Sequence, residues 1–332
     1  MSTTTVIDGR FTLIQTPLPE KRNSFAEDVE RGLRERPRYI PSRYFYDYRG
    51  SQLFEQITRL PEYYLTRSET EILRQQADQI VQDLPPRIQV VELGSGSSQK
   101  TRLLLSALLQ KGAQVRYSPV DISGEMLRIS ARSLLNDFPR LEITALAAEY
   151  QQALRELSPF HDHPKLVLWL GSSIGNYTPA QAIRFLRELR EQLREDDELL
   201  IGMDLRKDEA ILHAAYNDAA GITAEFNRNL LQRINRELGA NFHLSAFSHE
   251  ARFFPEPGCM KMFLRSEEEQ AVKIDAINQT FNFERGERIH TEDSYKFSRE
   301  KIREIAADSG FNLKKQWFDS RKYFSLNLFK PA

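Results

Sequence analysis

The chain has 332 residues, 40% apolar and 28% charged, which suits one large globular domain or two closely packed ones and excludes a disordered polypeptide. Its 46 basic side chains balance 47 acidic ones, so no net field draws in nucleic acid or an anionic membrane, and the single cysteine, Cys259, excludes a disulfide framework and a thiolate zinc cluster. MSTTTVIDGRFTLIQ lacks the basic-then-apolar pattern of a signal peptide, and apolar runs such as LVLWL are too short to span a bilayer, so a cytoplasmic protein is the default expectation.

Residues 1–25 are polar and read as a loose lead-in with room for one strand. Phe25 to Glu35 has the pattern of a short charged helix. The stretch from Pro41 to Glu69, PSRYFYDYRGSQLFEQITRLPEYYLTRSE, gathers tyrosines among charges, more than an ordinary core segment would. Within it SQLFEQIT sets Leu53, Phe54 and Ile57 on one helical face. SETEIL places Ser68 ahead of early glutamates and predicts a longer helix capped at about Ser68.

The pattern then changes. IQVVEL (88–93) is a strand that ends at GSGSSQK, and TRLLLSALLQKG is a helix that ends at Gly112. VRYSPVD (115–121) is a second strand ending on an aspartate, and SGEMLRISARSLLNDF a second helix. EITALAAEY (142–150), KLVLWLGSS (165–173) and DELLIGMD (197–204) are three more strands, with the amphipathic helix PAQAIRFLRELREQL before the last. Helices alternating with near-continuous apolar strands predict a parallel sheet covered on both faces. After Asp204 the alternation fails. Two helices fill 207–240, and HLSAFSHEARFF, MKMFLRS and QAVKIDAINQTFNF follow as antiparallel strands, an insertion or a second lobe. The helix FSREKIREIAADSG and the strands LKKQWFD and KYFSLNLF close the chain, the last pair as an antiparallel edge. The expectation is an α/β fold: a doubly wound, Rossmann-like, mostly parallel sheet of seven strands with a second α+β lobe.

VELGSGSSQKT stands at the carboxyl end of the first of these strands, where ligands gather in a doubly wound sheet. Gly94 and Gly96 allow close backbone approach. Taken alone, such a loop is also a plain strand-to-helix turn. The third glycine of a dinucleotide fingerprint is missing, Gln99 standing there, and no Walker lysine–serine pair follows. Glu92 precedes the loop and Asp121 ends the next strand, where a carboxylate can accept from both ribose hydroxyls. That pattern suits S-adenosylmethionine (SAM) better than a nucleoside phosphate. The six histidines show no metal-ligand spacing, and His161-x-His163 reads as a solvated loop.

Taken together, YFYDYRGSQLFEQITRLPEYYLTRSETEIL, VELGSGSSQKT, PVDISGEML, LWLGSSIGNYTP, YNDAAGITAEFNRNLLQRIN and IHTEDSYKFS resemble the L-histidine Nα-methyltransferases of ergothioneine biosynthesis, from about Arg38 to the C-terminus. The resemblance implies a class I methyltransferase domain, 67–205 plus 296–332, and a substrate-binding lobe, 10–66 plus 206–295. It implies SAM as methyl donor, no metal, and three methylations of the histidine α-amino group to give hercynine, the histidine betaine. It implies a small-molecule substrate, no nucleic-acid or membrane partner, and a monomer. The alternative is a same-fold N-methyltransferase acting on another amino acid or a biogenic amine.

Residue by residue, the resemblance implies that Gly94, Lys100 and Asp121 bind the cofactor, Asp121 at the ribose and Lys100 at the methionyl carboxylate. Glu149-Tyr150 stands where the family has an aspartate and an aromatic on the adenine side, one methylene longer at the acid. Asn176 and Tyr216 would clamp the histidine carboxylate; both are neutral, which leaves the sulfonium as the dominant nearby cation. Glu292 and Ser294 would read the two ring nitrogens, with Tyr63 and Met262 shaping the pocket. Tyr46 would take the catalytic position beside the reacting nitrogen. Tyr44, Tyr48 and Tyr64 read as structural.

Overall fold

A computed structural model describes residues 3–16, 25–157 and 163–332. In chain order the first elements are β1 (Thr3–Asp8), β2 (Phe11–Gln15), α1 (Phe25–Arg34), β3 (Arg38–Tyr39), α2 (Tyr48–Ile57) and α3 (Tyr64–Val81). The alternating part runs β4 (Arg87–Leu93), α4 (Thr101–Gln110), β5 (Gln114–Asp121), α5 (Gly124–Asp137), β6 (Glu142–Ala147), α6 (Tyr150–Leu157), β7 (Lys165–Trp169), α7 (Pro179–Arg190) and β8 (Glu198–Asp204). Then come α8 (Glu209–Tyr216), α9 (Ile222–Leu238), β9 (Phe247–Phe254), β10 (Cys259–Ser266), β11 (Gln270–Ile274), β12 (Gln279–Phe283) and β13 (Arg288–Tyr295). The chain closes with α10 (Arg299–Asp308), β14 (Phe311–Phe318) and β15 (Phe324–Pro331). Two compact units result: Met1–Leu18, Leu65–Arg206 and Phe297–Ala332 form one, Pro19–Tyr64 and Lys207–Lys296 the other.

The first unit is built on a nine-stranded sheet in the order β1-β2-β6-β5-β4-β7-β8-β15-β14. From β2 to β8 neighbouring strands pair in parallel. β15 runs antiparallel to β8, and β14 to β15. Because helices cover both faces, the central strands are apolar without alternation, and every residue of β7 and β8 is buried. The expected seven strands become nine because the N-terminal segment is a hairpin on the β6 edge. β2 buries Phe11, Leu13 and Ile14, while β1 is a mostly exposed TTTVID edge whose polar side chains conceal it in the sequence. Residues 11–15 therefore lie with this unit, whereas the expected boundary at residue 10 put them in the other.

The α3 helix begins at Tyr64, four residues before the expected cap. Ser68 is inside the helix and buried, and its hydroxyl donates to Asp319 Oδ2 at 3.1 Å. At α7 the cap is built as a box. Thr178 Oγ1 accepts from the Gln181 N–H at 3.3 Å, the Gln181 side chain accepts from the Thr178 N–H at 2.9 Å, and Pro179 opens the helix. The chain leaves this unit and returns to it at adjacent points: the Phe297 N–H donates to Asp204 O at 2.8 Å and the Arg206 N–H to Phe297 O at 3.0 Å.

The second unit has a four-stranded sheet, β3-β13-β10-β9, a separate β11–β12 hairpin, and the helices α1, α2, α8 and α9. Asp47 joins α2 to α9. Its carboxylate caps α2 by accepting from the Gly50 N–H at 2.7 Å, and it accepts from Asn229 at 2.9 Å and Arg236 at 2.7 Å on α9. Phe45, Phe54 and Phe226 close the core beneath. The β10–β13 ladder contains a bulge, since Met262 pairs with Glu292 while Phe263 pairs with His290, leaving Thr291 as the extra residue.

Candidate active site

In the first unit the candidate residues lie at the carboxyl ends of the parallel strands. Gly94, after β4, has φ +73°, and a Cβ there would press on the Tyr150 hydroxyl. Gly96 has φ +48° with open space where a Cβ would sit. Asp121, the last residue of β5, is pinned by backbone donors: Gly96 N–H at 3.0 Å on one oxygen and Ser123 N–H at 2.9 Å on the other. Burial raises its pKa, against the opposing pull of those N–H groups. The Ile122 N–H adds to these donors, and the carboxylate still has lone-pair capacity left for a ligand hydroxyl.

Below the glycine loop Glu92 is buried and fully engaged. It accepts from Thr101 Oγ1 at 2.5 Å and from the Tyr117 hydroxyl, and burial pushes its pKa up to about 7. It ties strand, loop and helix together and turns no oxygen outward. Glu149 precedes α6, its carbonyl accepting the N–H of Gln152 and of Ala153. Tyr150 opens that helix, its ring edge-on to Trp169 and Phe185. The strand expected to reach residue 150 ends at Ala147. Asn176 closes the short 3₁₀ turn Ser173–Asn176 after β7, half-buried.

Lys100 stands at the start of α4, and its ammonium pairs with Glu69 of α3. Glu69 is fully buried and also accepts the Gly171 N–H with both oxygens, at 3.0 and 2.9 Å. Spacing along the chain does not reveal this pairing, because Glu69 reads as an ordinary first-turn helix acid.

In the second unit, pairing register alone puts four residues on one face. Met260 lies opposite Ser294 and Met262 opposite Glu292, and Glu292 and Ser294 are two apart on β13. Tyr216, the last residue of α8, donates its hydroxyl to Ser294 Oγ at 2.7 Å. Lys296, only 3% exposed, donates to the Tyr216 hydroxyl and to Ser294 Oγ, both at 2.8 Å. With two donors on its oxygen, Ser294 has its own hydrogen to give away. Lys296 also corrects the expectation of a neutral clamp, because a buried ammonium stands behind the phenol.

Glu292 differs from Glu92 in one respect. Burial likewise pushes it up to about 7, with Lys296 pulling down and Asp293 pushing up, but no hydrogen bond reaches its carboxylate among the described residues. A buried acceptor left without a donor is costly unless a ligand supplies one. On the opposite face Asp293 takes Lys261 at 2.9 Å and His290 at 3.1 Å. Tyr63 and Tyr46 both stand edge-on to Phe54, at 6.2 and 5.6 Å between ring centroids, so one aromatic cluster carries both.

Among the described residues no group of acidic, histidine and cysteine side chains could hold a metal ion, and no helix is long and apolar enough to cross a membrane. His161 lies outside the described residues.

A family model described as histidine-specific methyltransferase, SAM-dependent, matches residues 25–331. The chain is 40% identical to a histidine N-alpha-methyltransferase of Mycobacterium tuberculosis (strain CDC 1551 / Oshkosh), over 91% of this chain and 93% of that one. It is 41% identical to a histidine N-alpha-methyltransferase of Mycolicibacterium smegmatis (strain ATCC 700084 / mc(2)155), with the same coverage of 91% and 93%. Ergothioneine biosynthesis protein 1 of Schizosaccharomyces pombe (strain 972 / ATCC 24843) is 31% identical over 82% of this chain and 36% of its own length.

Proposed function

The chain belongs to the SAM-dependent, histidine-specific methyltransferases, and from that premise we propose that it methylates the α-amino group of L-histidine, three times, to give hercynine in ergothioneine biosynthesis. The observation that carries the substrate assignment is the half-buried Glu292 carboxylate, without a hydrogen-bond donor among the described residues, on the same sheet face as a serine obliged to donate. An acceptor and a donor two residues apart match a neutral imidazole, which has one N–H and one bare nitrogen. A site built around such a pair rejects side chains that leave it unmatched, by up to ~10⁴-fold.

When bound, SAM supplies an electrophilic methyl group on a sulfonium. The residues present fit it: Asp121 offers fixed lone pairs to ribose hydroxyls, Gly94 and Tyr150 bound the loop, and Lys100 offers a cation to the methionyl carboxylate. Glu149 takes the adenine side. Displacement on a good leaving group asks the protein chiefly for proximity and alignment. We assign Asn176 and Tyr216 to the histidine carboxylate, with Lys296 polarising the phenol, and Glu292 and Ser294 to the ring. Tyr63 and Met262 bound the ring site, and Tyr46 orients the neutral amine. The reading includes a cytoplasmic monomer without nucleic-acid or membrane partners, consistent with balanced charge.

Mass spectrometry of histidine incubated with SAM and the protein is expected to show mono-, di- and trimethylated products. Calorimetry with histidine, tryptophan, phenylalanine and histamine should rank histidine first; preference for any ligand lacking the imidazole or the carboxylate would favour another amino-acid or biogenic-amine methyltransferase.

A further inference from the structure

Glu69 is a buried carboxylate that the proposed chemistry does not use. It sits in the first turns of α3, yet what it touches is the ligand end of the sheet. Its two oxygens accept the Gly171 N–H in the loop after β7, and it pairs with the Lys100 ammonium at the start of α4. The neighbouring strand makes room for it. Gly202, inside β8, is a residue whose added Cβ would collide with Glu69 Oε1. A glycine within a buried strand is unfavourable unless something else needs the space. Gly171 itself has φ +77°, and its Cβ position lies 3.4 Å from Lys100 Nζ. One carboxylate therefore fixes a loop backbone and a lysine at adjacent strand ends, and a third strand omits its side chain to admit it.

We propose that Glu69 is a positioning residue for the amino-acid end of the cofactor. It aims the Lys100 ammonium, holds the Gly171 loop, and balances the lysine charge beside the sulfonium. This rests on the reading that Lys100 meets the methionyl carboxylate. A buried charge pair of this kind is rigid, and such rigidity lowers the ordering cost of binding.

The test compares two ligands by calorimetry on the full-length protein. S-adenosylhomocysteine carries the amino acid; 5′-methylthioadenosine keeps the adenosine and thioether and lacks it. Lys100→Met and Glu69→Gln should each weaken S-adenosylhomocysteine by about 10- to 100-fold, the scale of a lost charge-assisted hydrogen bond, and leave methylthioadenosine within about threefold. The double variant should lose little beyond either single one, because both act through one unit. An unselective or absent effect of Lys100→Met removes the underlying reading of that lysine. Selective loss in Lys100→Met with none in Glu69→Gln, or equal loss of both ligands in Glu69→Gln, overturns the role of Glu69 alone. Should Glu69→Gln not fold, Glu69→Asp keeps the charge and shortens the reach, and the same selective loss is required of it.

Discussion

Burial lifts Glu92 and Glu292 to the same place, about 7, but among the described residues only the Glu92 carboxylate is hydrogen-bonded. Between its ordinary value of 4.5 and about 7, Glu92 holds a proton in the folded state that it has lost in the unfolded state. Its contribution therefore favours folding at the low end of that window and fades as pH rises through it. Glu92→Gln should shrink the difference in unfolding free energy between about pH 5 and about pH 8 by on the order of 1–3 kcal/mol, measured by urea titration. Glu292→Ala should instead leave stability nearly unchanged and weaken histidine about 10- to 100-fold by calorimetry; unaltered affinity would remove it from the site. Gly94→Ala forces φ +73° on a residue with a Cβ and presses that Cβ on Tyr150, so S-adenosylhomocysteine affinity should fall at least about tenfold. Gly94 and Asp121 are legible as candidates in the sequence because a strand end followed by a glycine loop marks its own place, whereas Lys100 enters only through the family resemblance. Glu69 and Lys296 are not legible, since each is defined by partners brought close through folding. Of the unassigned tyrosines, Tyr44 donates to the buried Asp28 at 2.6 Å and Tyr64 accepts from Lys207 at 2.7 Å, while Tyr48 is 60% exposed.

At the scale of elements, a cap sets where Asn176 stands. The Thr178–Gln181 box caps α7 two residues after that asparagine and starts the helix at Pro179. Thr178→Ala should cost about 1 kcal/mol in chemical denaturation, and a cost near zero would mean the box is not formed in solution. The alternating strands and their helices are readable from apolar runs and punctuation, Ser123 and Ser298 capping α5 and α10 among them. The element that carries the substrate assignment, β13, was not. HTEDS is polar on both faces because one side carries Glu292 and Ser294, which we assign to the imidazole, and the other an Asp293-centred ion cluster, and a bulge breaks the two-residue period. For the opposite reason α3 starts four residues before the position its sequence suggests: Ser68 has the residue type of a cap but is used for a tertiary hydrogen bond.

On the scale of the whole molecule, the parallel sheet is extended by a hairpin at each side, and the N-terminal one was hidden by its polar outer strand. Deleting residues 3–16 would expose the β6 edge and forfeit the burial of Phe11, Leu13 and Ile14. At about 1.5–3 kcal/mol per buried side chain, a clear fall in melting temperature and a rise in aggregation are expected by calorimetric scan and light scattering; an unchanged melt would show the hairpin to be dispensable. The clip at Asp204, Arg206 and Phe297 has a different consequence. Because exit and re-entry are hydrogen-bonded neighbours, the ninety-odd residues between them hang from a closed seam, and the sheet registers no gap whatever their length. The seam makes that stretch one half of a natural cassette for grafting: a different acceptor-recognition module, replacing Pro19–Tyr64 together with it, could be spliced in at these two points while the parallel strands keep their register.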